Sequence, residues 1–216
     1  MELLRTPFRF LTEKKISLFK KEIIFEQIQE LGRDLFVSGL ISSHGGNVSV
    51  LDEDGKHIHI TRSGSALGRL RDGDLVTVGF DLPGDNEDAL RADQQASIEL
   101  IVHRALYHAL PETKAAVHAH SLYTTLLSLR QDTIEPLDSE SKYFIPSVPV
   151  LDVEETIASA QVAELLPKLM VDTGCPVAVV RGHGPFAVGK DLDEAWRYVS
   201  ILEMSSRMIC EYSKMH

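Results

Sequence analysis

The chain places two histidines two residues apart in Val117-His118-Ala119-His120, a stretch whose apolar and β-branched neighbours predict a strand. Side chains alternate faces along a strand, so His118 and His120 would project to the same side, about 7 Å apart along the backbone. Two imidazoles in that relation can close on one metal ion, with Zn–N bonds of about 2.0–2.1 Å. The spacing alone is not diagnostic. His57-Ile58-His59 repeats it beside nothing else chemically suggestive, and reads as two solvent-facing histidines with Ile58 and Ile60 turned to the core.

A third imidazole, His183, follows a buried-looking strand and has glycine on either side in Arg181-Gly182-His183-Gly184-Pro185. Glycine permits backbone angles and close approaches that a β-carbon would block, so this histidine is either held in place for a ligand or caps a carbonyl. Three histidines with a fourth position left for substrate is the form a catalytic zinc takes. Glu99 is the fourth candidate. The helical pattern sets it beside an apolar stripe, one turn before His103. Most glutamates at such a rim are solvated, and this one gains a chemical role only if its helix packs across the histidine strand.

The elements that must position these groups follow from periodicity. Ile24, Ile28, Leu31 and Leu35 recur at helical spacing from Ser17, with Gly39 as the stop. Residues 41–51 read as a Gly-rich turn running into a strand, and residues 57–61 and 75–80 as two further strands joined by tight turns. A polar loop over 81–87 precedes a helix over 94–110 whose predicted inner face is Ile98, Ile101, Val102, Ala105 and Ala109. Pro111 closes it. Residues 115–120 form a strand, 122–129 a short helix, 131–150 mostly irregular chain, 153–170 a helix and 176–180 a strand. The last helix opens at Asp191 with Glu194 three residues on, a capping pair, and buries Ala195, Val199, Leu202, Ser206 and Ile209. Tight turns between consecutive strands predict one mixed α/β domain over 1–216 around a mostly antiparallel sheet, with 1–16 as an N-terminal extension.

Composition narrows the partners. With 44% apolar and 25% charged residues in 216, the chain matches an ordinary globular domain. Its formal charge of −10 and short basic clusters (Lys14-Lys15, Lys20-Lys21, Arg69 with Arg71) argue against a nucleic-acid partner, which would need clustered cations. No apolar run approaches the length of a membrane span, and the first twenty residues lack the apolar core of a signal peptide. Two cysteines cannot build a disulfide framework, so the expected setting is a reducing cytoplasm. Nine histidines, against one tryptophan, are the departure from the ordinary.

Four separated segments, taken together and in order, resemble the class II aldolase/adducin family, whose type members are fuculose-phosphate aldolases. They are Gly45-Gly46-Asn47-Val48-Ser49, Thr61-Arg62-Ser63-Gly64, Ser97-Ile98-Glu99 followed by His118-Ala119-His120, and Arg181-Gly182-His183-Gly184. The resemblance covers about residues 20–212. It implies an α/β/α fold and a homotetramer with active sites at subunit interfaces. It also implies one divalent metal ion per subunit, zinc by first expectation, held by His118, His120 and His183. Glu99 would alternately ligate the metal and shuttle a proton. Asn47, Ser63, Gly64 and Ser97 would bind a substrate phosphate. The implied reaction cleaves a ketose 1-phosphate to dihydroxyacetone phosphate and an aldehyde through a metal-stabilised enediolate.

The chain departs from the type members in several places. Ile98 stands where a second phosphate-binding serine is usual. Gln95 supplies no cation, which leaves the expected phosphate pocket neutral. The sequence ends at His216, before the tail that carries a catalytic tyrosine in the type members. Tyr143 lies near where the family has another active-site tyrosine, Tyr212 is a substitute for the tail residue, and His44 is a candidate substrate contact. His103 and His108 are expected to be structural. Within the family, 4-epimerases carry aspartate at the Glu99 position and methylthioribulose-phosphate dehydratases place their acid/base glutamate elsewhere. A non-catalytic module like the adducin head lacks the metal histidines, which are intact here.

Overall fold

The computed structural model describes residues 13–215. The first helix, α1 (Glu13–Val37), carries Ile28, Leu31 and Leu35 on its buried face, as the periodicity predicts. The helix begins at Glu13, four residues before the expected Ser17, and residues 1–12 lie outside the described residues. A meander follows: β1 (Asn47–Leu51), β2 (His57–Thr61) and β3 (Leu75–Gly79), paired antiparallel. Then come α2 (Glu87–Gln95), α3 (Leu100–Ala109), β4 (Ala115–His118), α4 (Leu122–Ser128), β5 (Thr133–Ile134), α5 (Ser139–Phe144) and β6 (Val148–Leu151). The chain closes with α6 (Ala160–Thr173), β7 (Val177–Val180), β8 (Gly184–Gly189) and α7 (Leu192–Tyr212).

The eight strands form one sheet in the order β3-β2-β1-β4-β8-β7-β6-β5, antiparallel except between β6 and β7. Strand alternation feeds a core on each face. Ala115, Val117, Val177, Val179 and Ala187 join Leu35, Val199 and Leu202 on the α1/α7 side. Ala116, Ala178, Val180, Phe186 and Val188 join Val102, Leu106, Val162 and Leu166 on the α3/α6 side. This is the expected α/β/α arrangement. Asp191 caps α7, with Glu194 N–H donating to Asp191 Oδ1 at 2.8 Å, and the Glu194 carboxylate reaches back one residue further to accept from Lys190 N–H at 2.7 Å.

Several local expectations are corrected. The helix expected over 94–110 is broken at Ala96–Glu99, because this segment bonds to the strand side. Ser97 N–H donates to Thr61 O and Ser63 N–H to Gln95 O. The break rotates α3, so Leu100, Val102, His103, Leu106 and Tyr107 are buried while Ile98 and Ile101 are exposed. Residues 131–150 contain β5, α5 and β6 rather than irregular chain, and α6 starts at Ala160, not Val153. β4 ends at His118, leaving His120 beyond the strand. His59 is not solvent-facing: it is buried, with Nδ1 3.0 Å from Thr77 Oγ1, and only His57 of that pair is exposed.

Candidate metal centre

Sheet order explains how distant histidines meet. β4 and β8 are neighbours, so the end of β4 lies beside the turn that leads into β8. The close approach depends on glycine. A β-carbon on Gly184, whose φ is +149°, would stand 2.1 Å from Ala119 O, and one on Gly45 would stand 2.6 Å from His120 Nδ1. The β7–β8 turn is tied down from below. Arg181 pairs with Asp132 and Asp152 and donates to Ser128 O, and Gly182 N–H donates to Ser128 Oγ at 3.0 Å.

The result is a cluster of three imidazole nitrogens. His118 Nε2 lies 3.0 Å from His120 Nε2 and 3.2 Å from His183 Nε2. A tetrahedral zinc site with bonds of 2.0–2.1 Å has ligand–ligand edges of about 3.3 Å, close to both of these spacings, and the three ligand nitrogens all lie within 4.8 Å of one another. His118 Nδ1–H donates to Pro185 O at 3.0 Å, which fixes the tautomer with Nε2 as the free lone pair. Its ring stacks on Phe186 at 3.9 Å. Burial first, then the neighbouring His183 and His120, hold His118 well below the ordinary imidazole pKa. Burial and His183 bring His120 down to about 4. Both are therefore neutral near pH 7, the form a metal requires.

Glu99 does face this cluster. It is not on a helix face as expected but at the residue preceding α3, in a non-helical conformation, and only 3% exposed. Its Oε2 lies 3.3 Å from His118 Nε2 and its Oε1 3.9 Å from His183 Nε2. Asn47 Nδ2–H donates to Oε2 at 3.1 Å and Ala158 N–H to Oε1 at 3.3 Å. The carboxylate is thus suspended over the three imidazoles by two donors from outside its own element.

A cleft of about 180 Å³ opens onto His120, His183 and Glu99. Asn47, Ser63, Gly64 and Ser97 all line it, as does His44. Residues 62–65 make a tight turn in which Ser65 N–H donates to Arg62 O, with Gly64 at φ +74° in the position that favours glycine. A larger cavity of about 660 Å³ between α1 and α7 holds none of these residues, so chemistry rather than size singles out the smaller cleft. Tyr143, on α5 and 81% exposed, and Tyr212, at the end of α7, do not line the cleft. His108 is exposed on α3.

Two functional candidates escaped the sequence reading. Arg62 lines the cleft, with Nε donating to Gly73 O and one terminal nitrogen to Gln95 Oε1, both at 2.8 Å. Gln95 supplies no cation, but it orients one, so the cleft expected to lack a cation has one in Arg62. The signal was Arg62 inside the Thr61-Arg62-Ser63-Gly64 turn itself. Ala158 is the second: its backbone N–H holds Glu99, at a left-handed φ of +49° that no side-chain pattern announces.

Residues 26–210 match the Class II Aldolase and Adducin N-terminal domain, and the chain belongs to that family. It is 31% identical to the L-fuculose phosphate aldolase of Methanocaldococcus jannaschii over 183 residues, 85% of this chain and 93% of that one. It is 31% identical to the methylthioribulose-1-phosphate dehydratase of Hahella chejuensis over 93% of this chain and 96% of that one. The 3-oxo-tetronate 4-phosphate decarboxylase of Escherichia coli is 29% identical over 85% and 84%. Among solved structures, l-fuculose-1-phosphate aldolase from Thermus thermophilus superposes with a TM-score of 0.77 at 31% identity, covering 87% of this chain and 93% of that one. These relatives are named as enzymes on phosphorylated substrates, with three different reactions. Among the described residues no helix is long and apolar enough to cross a membrane.

Proposed function

We propose that the protein is a metal-dependent aldehyde-lyase that cleaves a ketose 1-phosphate to dihydroxyacetone phosphate and an aldehyde. The observation that carries this reading is the Glu99 carboxylate held between His118 and His183, 3.3 and 3.9 Å from their Nε2 atoms. His118, His120 and His183 would hold one divalent ion, zinc by first choice. When bound, that ion supplies Lewis acidity for the charge that develops as the carbon–carbon bond opens. Glu99 accepts the proton from the C4 hydroxyl as the C3–C4 bond breaks, and returns a proton to C3 of the dihydroxyacetone phosphate half. Ser63, Gly64, Ser97 and the second amide hydrogen of Asn47 offer donors to the phosphate. Arg62 adds the cation that makes a dianion welcome in a chain of net charge −10. Tyr143 and Tyr212 enter this scheme only from a neighbouring subunit.

The unit of function would be a homotetramer of single-domain subunits, with active sites at the subunit interfaces. Ile98 and Ile157 line the cleft and are 63% and 60% exposed, as a rim covered by a second copy would be. The two cysteines are free and buried, which suits a cytoplasmic location.

A second reading, a dehydratase, is favoured by the 93% and 96% coverage of the methylthioribulose-1-phosphate relative. A panel of ketose 1-phosphates and methylthioribulose 1-phosphate separates the two. Release of dihydroxyacetone phosphate supports the lyase. Loss of water without carbon–carbon cleavage replaces it with the dehydratase, and carbon dioxide from an oxo-tetronate phosphate replaces both.

A further inference from the structure

Beneath Glu99 a file of buried polar groups runs inward from the cleft. Asn47 Nδ2 meets Glu99 at 3.1 Å, and Asn47 Oδ1 meets His103 Nε2 in a short hydrogen bond. His103 Nδ1 lies 2.6 Å from Ser49 Oγ, which lies 2.8 Å from the Tyr107 hydroxyl. Each of these side chains is at most 6% exposed, and all come from β1 or the α3 segment.

The donors in this file can be ordered in one direction only. A carboxylate oxygen accepts, so Asn47 must turn its amide N–H toward Glu99 and its Oδ1 away. Oδ1 then needs a donor, which makes His103 the Nε2–H tautomer. His103 Nδ1 must accept from the Ser49 hydroxyl, and Ser49 from the Tyr107 hydroxyl. Were the Asn47 amide reversed, its oxygen would face a carboxylate oxygen at about 3 Å, an unpaired buried acceptor against a charge.

We propose that His103 is a positioning residue: by donating Nε2–H to Asn47 Oδ1 it locks the Asn47 amide with its N–H toward Glu99, and so fixes the carboxylate over the three histidines. A core that needed only to fill this space would use apolar side chains and carry no polar file. Asn47 pairs with His118 across β1 and β4, so the lock also sits directly beside the metal-facing strand. The inference rests on Glu99 having the catalytic role proposed above, and its test is built to fail separately from it.

Two readouts are used. In the ¹⁵N imidazole correlation spectrum of the metal-free protein, with His103 assigned from the His103→Gln variant, the expected tautomer is Nε2–H. A Nδ1–H tautomer overturns the proposal whatever the enzyme's substrate. In steady-state kinetics with the sugar phosphate that wild type turns over, His103→Leu should lower kcat about 10- to 100-fold with KM within about threefold. His103→Gln keeps an N–H donor and should recover at least about fivefold over His103→Leu. Equal rates for the two variants, or wild-type kcat in His103→Leu, overturn it. If His103→Leu does not fold, the tautomer and the Gln variant decide. If wild type turns over no sugar phosphate, the functional reading fails while the tautomer still tests the lock.

Discussion

Replacing Glu99 with glutamine changes one oxygen to an NH2 and leaves the volume of the site almost unaltered, so its effects are chemical. In wild type both carboxylate oxygens accept: Oε2 from Asn47 Nδ2–H and Oε1 from Ala158 N–H. Glutamine has one acceptor for these two donors, and its NH2 must face the other. A buried hydrogen bond to a charged group is worth about 1.5–3 kcal/mol, so the metal-free variant should lose about that much stability. For a chain of this length that corresponds to about 3–12 °C in Tm. The kinetic cost is separate. Removing a general base typically costs about 10²- to 10⁴-fold, or about 3–5 kcal/mol of transition-state stabilisation. The assay couples dihydroxyacetone phosphate release to NADH oxidation, with thermal melts of the same preparations. A Glu99→Gln enzyme with wild-type kcat and bound metal would refute the proton-transfer role. A loss of turnover explained by absent metal would refute the separation of roles drawn between Glu99 and the histidines.

Three further outcomes follow from the same geometry. Burial lowers the pKa of His103 to about 3, whereas in the unfolded chain it titrates near 6.5. The unfolded state therefore binds the extra proton first, and the stability of neutral His103 is complete above about pH 6.5 and lost as pH falls toward 3. Urea unfolding should show about 2 kcal/mol less stability at pH 5 than at pH 7.5 from this residue, and a His103→Leu variant that retains the whole slope contradicts the assignment. Gly184→Ala sets a β-carbon 2.1 Å from Ala119 O, whereas one at Gly64 meets nothing within 4 Å. Gly64→Ala should cost only the left-handed backbone term, about 1–2 kcal/mol, and Gly184→Ala clearly more, with equal Tm losses counting against the packing argument. Arg62→Met should raise KM for a phosphorylated substrate about 10- to 150-fold while leaving metal content unchanged, and an unaltered KM would remove Arg62 from the phosphate site.

The elements legible in the sequence are those whose signal is local. Ile28, Leu31 and Leu35 mark α1, the Asp191–Glu194 pair marks α7, and the alternation in residues 57–61 marks β2. What escaped depends on partners distant in sequence. β8 opens with Gly184-Pro185 and shows only Phe186, Ala187 and Val188 as an apolar run, and it is a strand because β4 and β7 bond to it on both sides. The break before α3 contains no proline or glycine; Thr61 O and the end of β2 impose it. At the site, residue types named the three histidines, and the resemblance raised Glu99, but neither could supply the distances. His103 read as a structural helix histidine because nothing near it in sequence carries its function. Asn47 and Ser49, which give it one, are more than fifty residues earlier.

In the proposed enzyme, His118, His120 and His183 bind a catalytic metal beside Glu99. Metal analysis of purified, zinc-replete protein by mass spectrometry, run beside His118→Ala and Glu99→Gln, tests this most directly. One divalent ion per chain is predicted in wild type, retained in Glu99→Gln and lost in His118→Ala. Metal-free wild type, or a His118→Ala variant that holds its ion as tightly, would contradict the account.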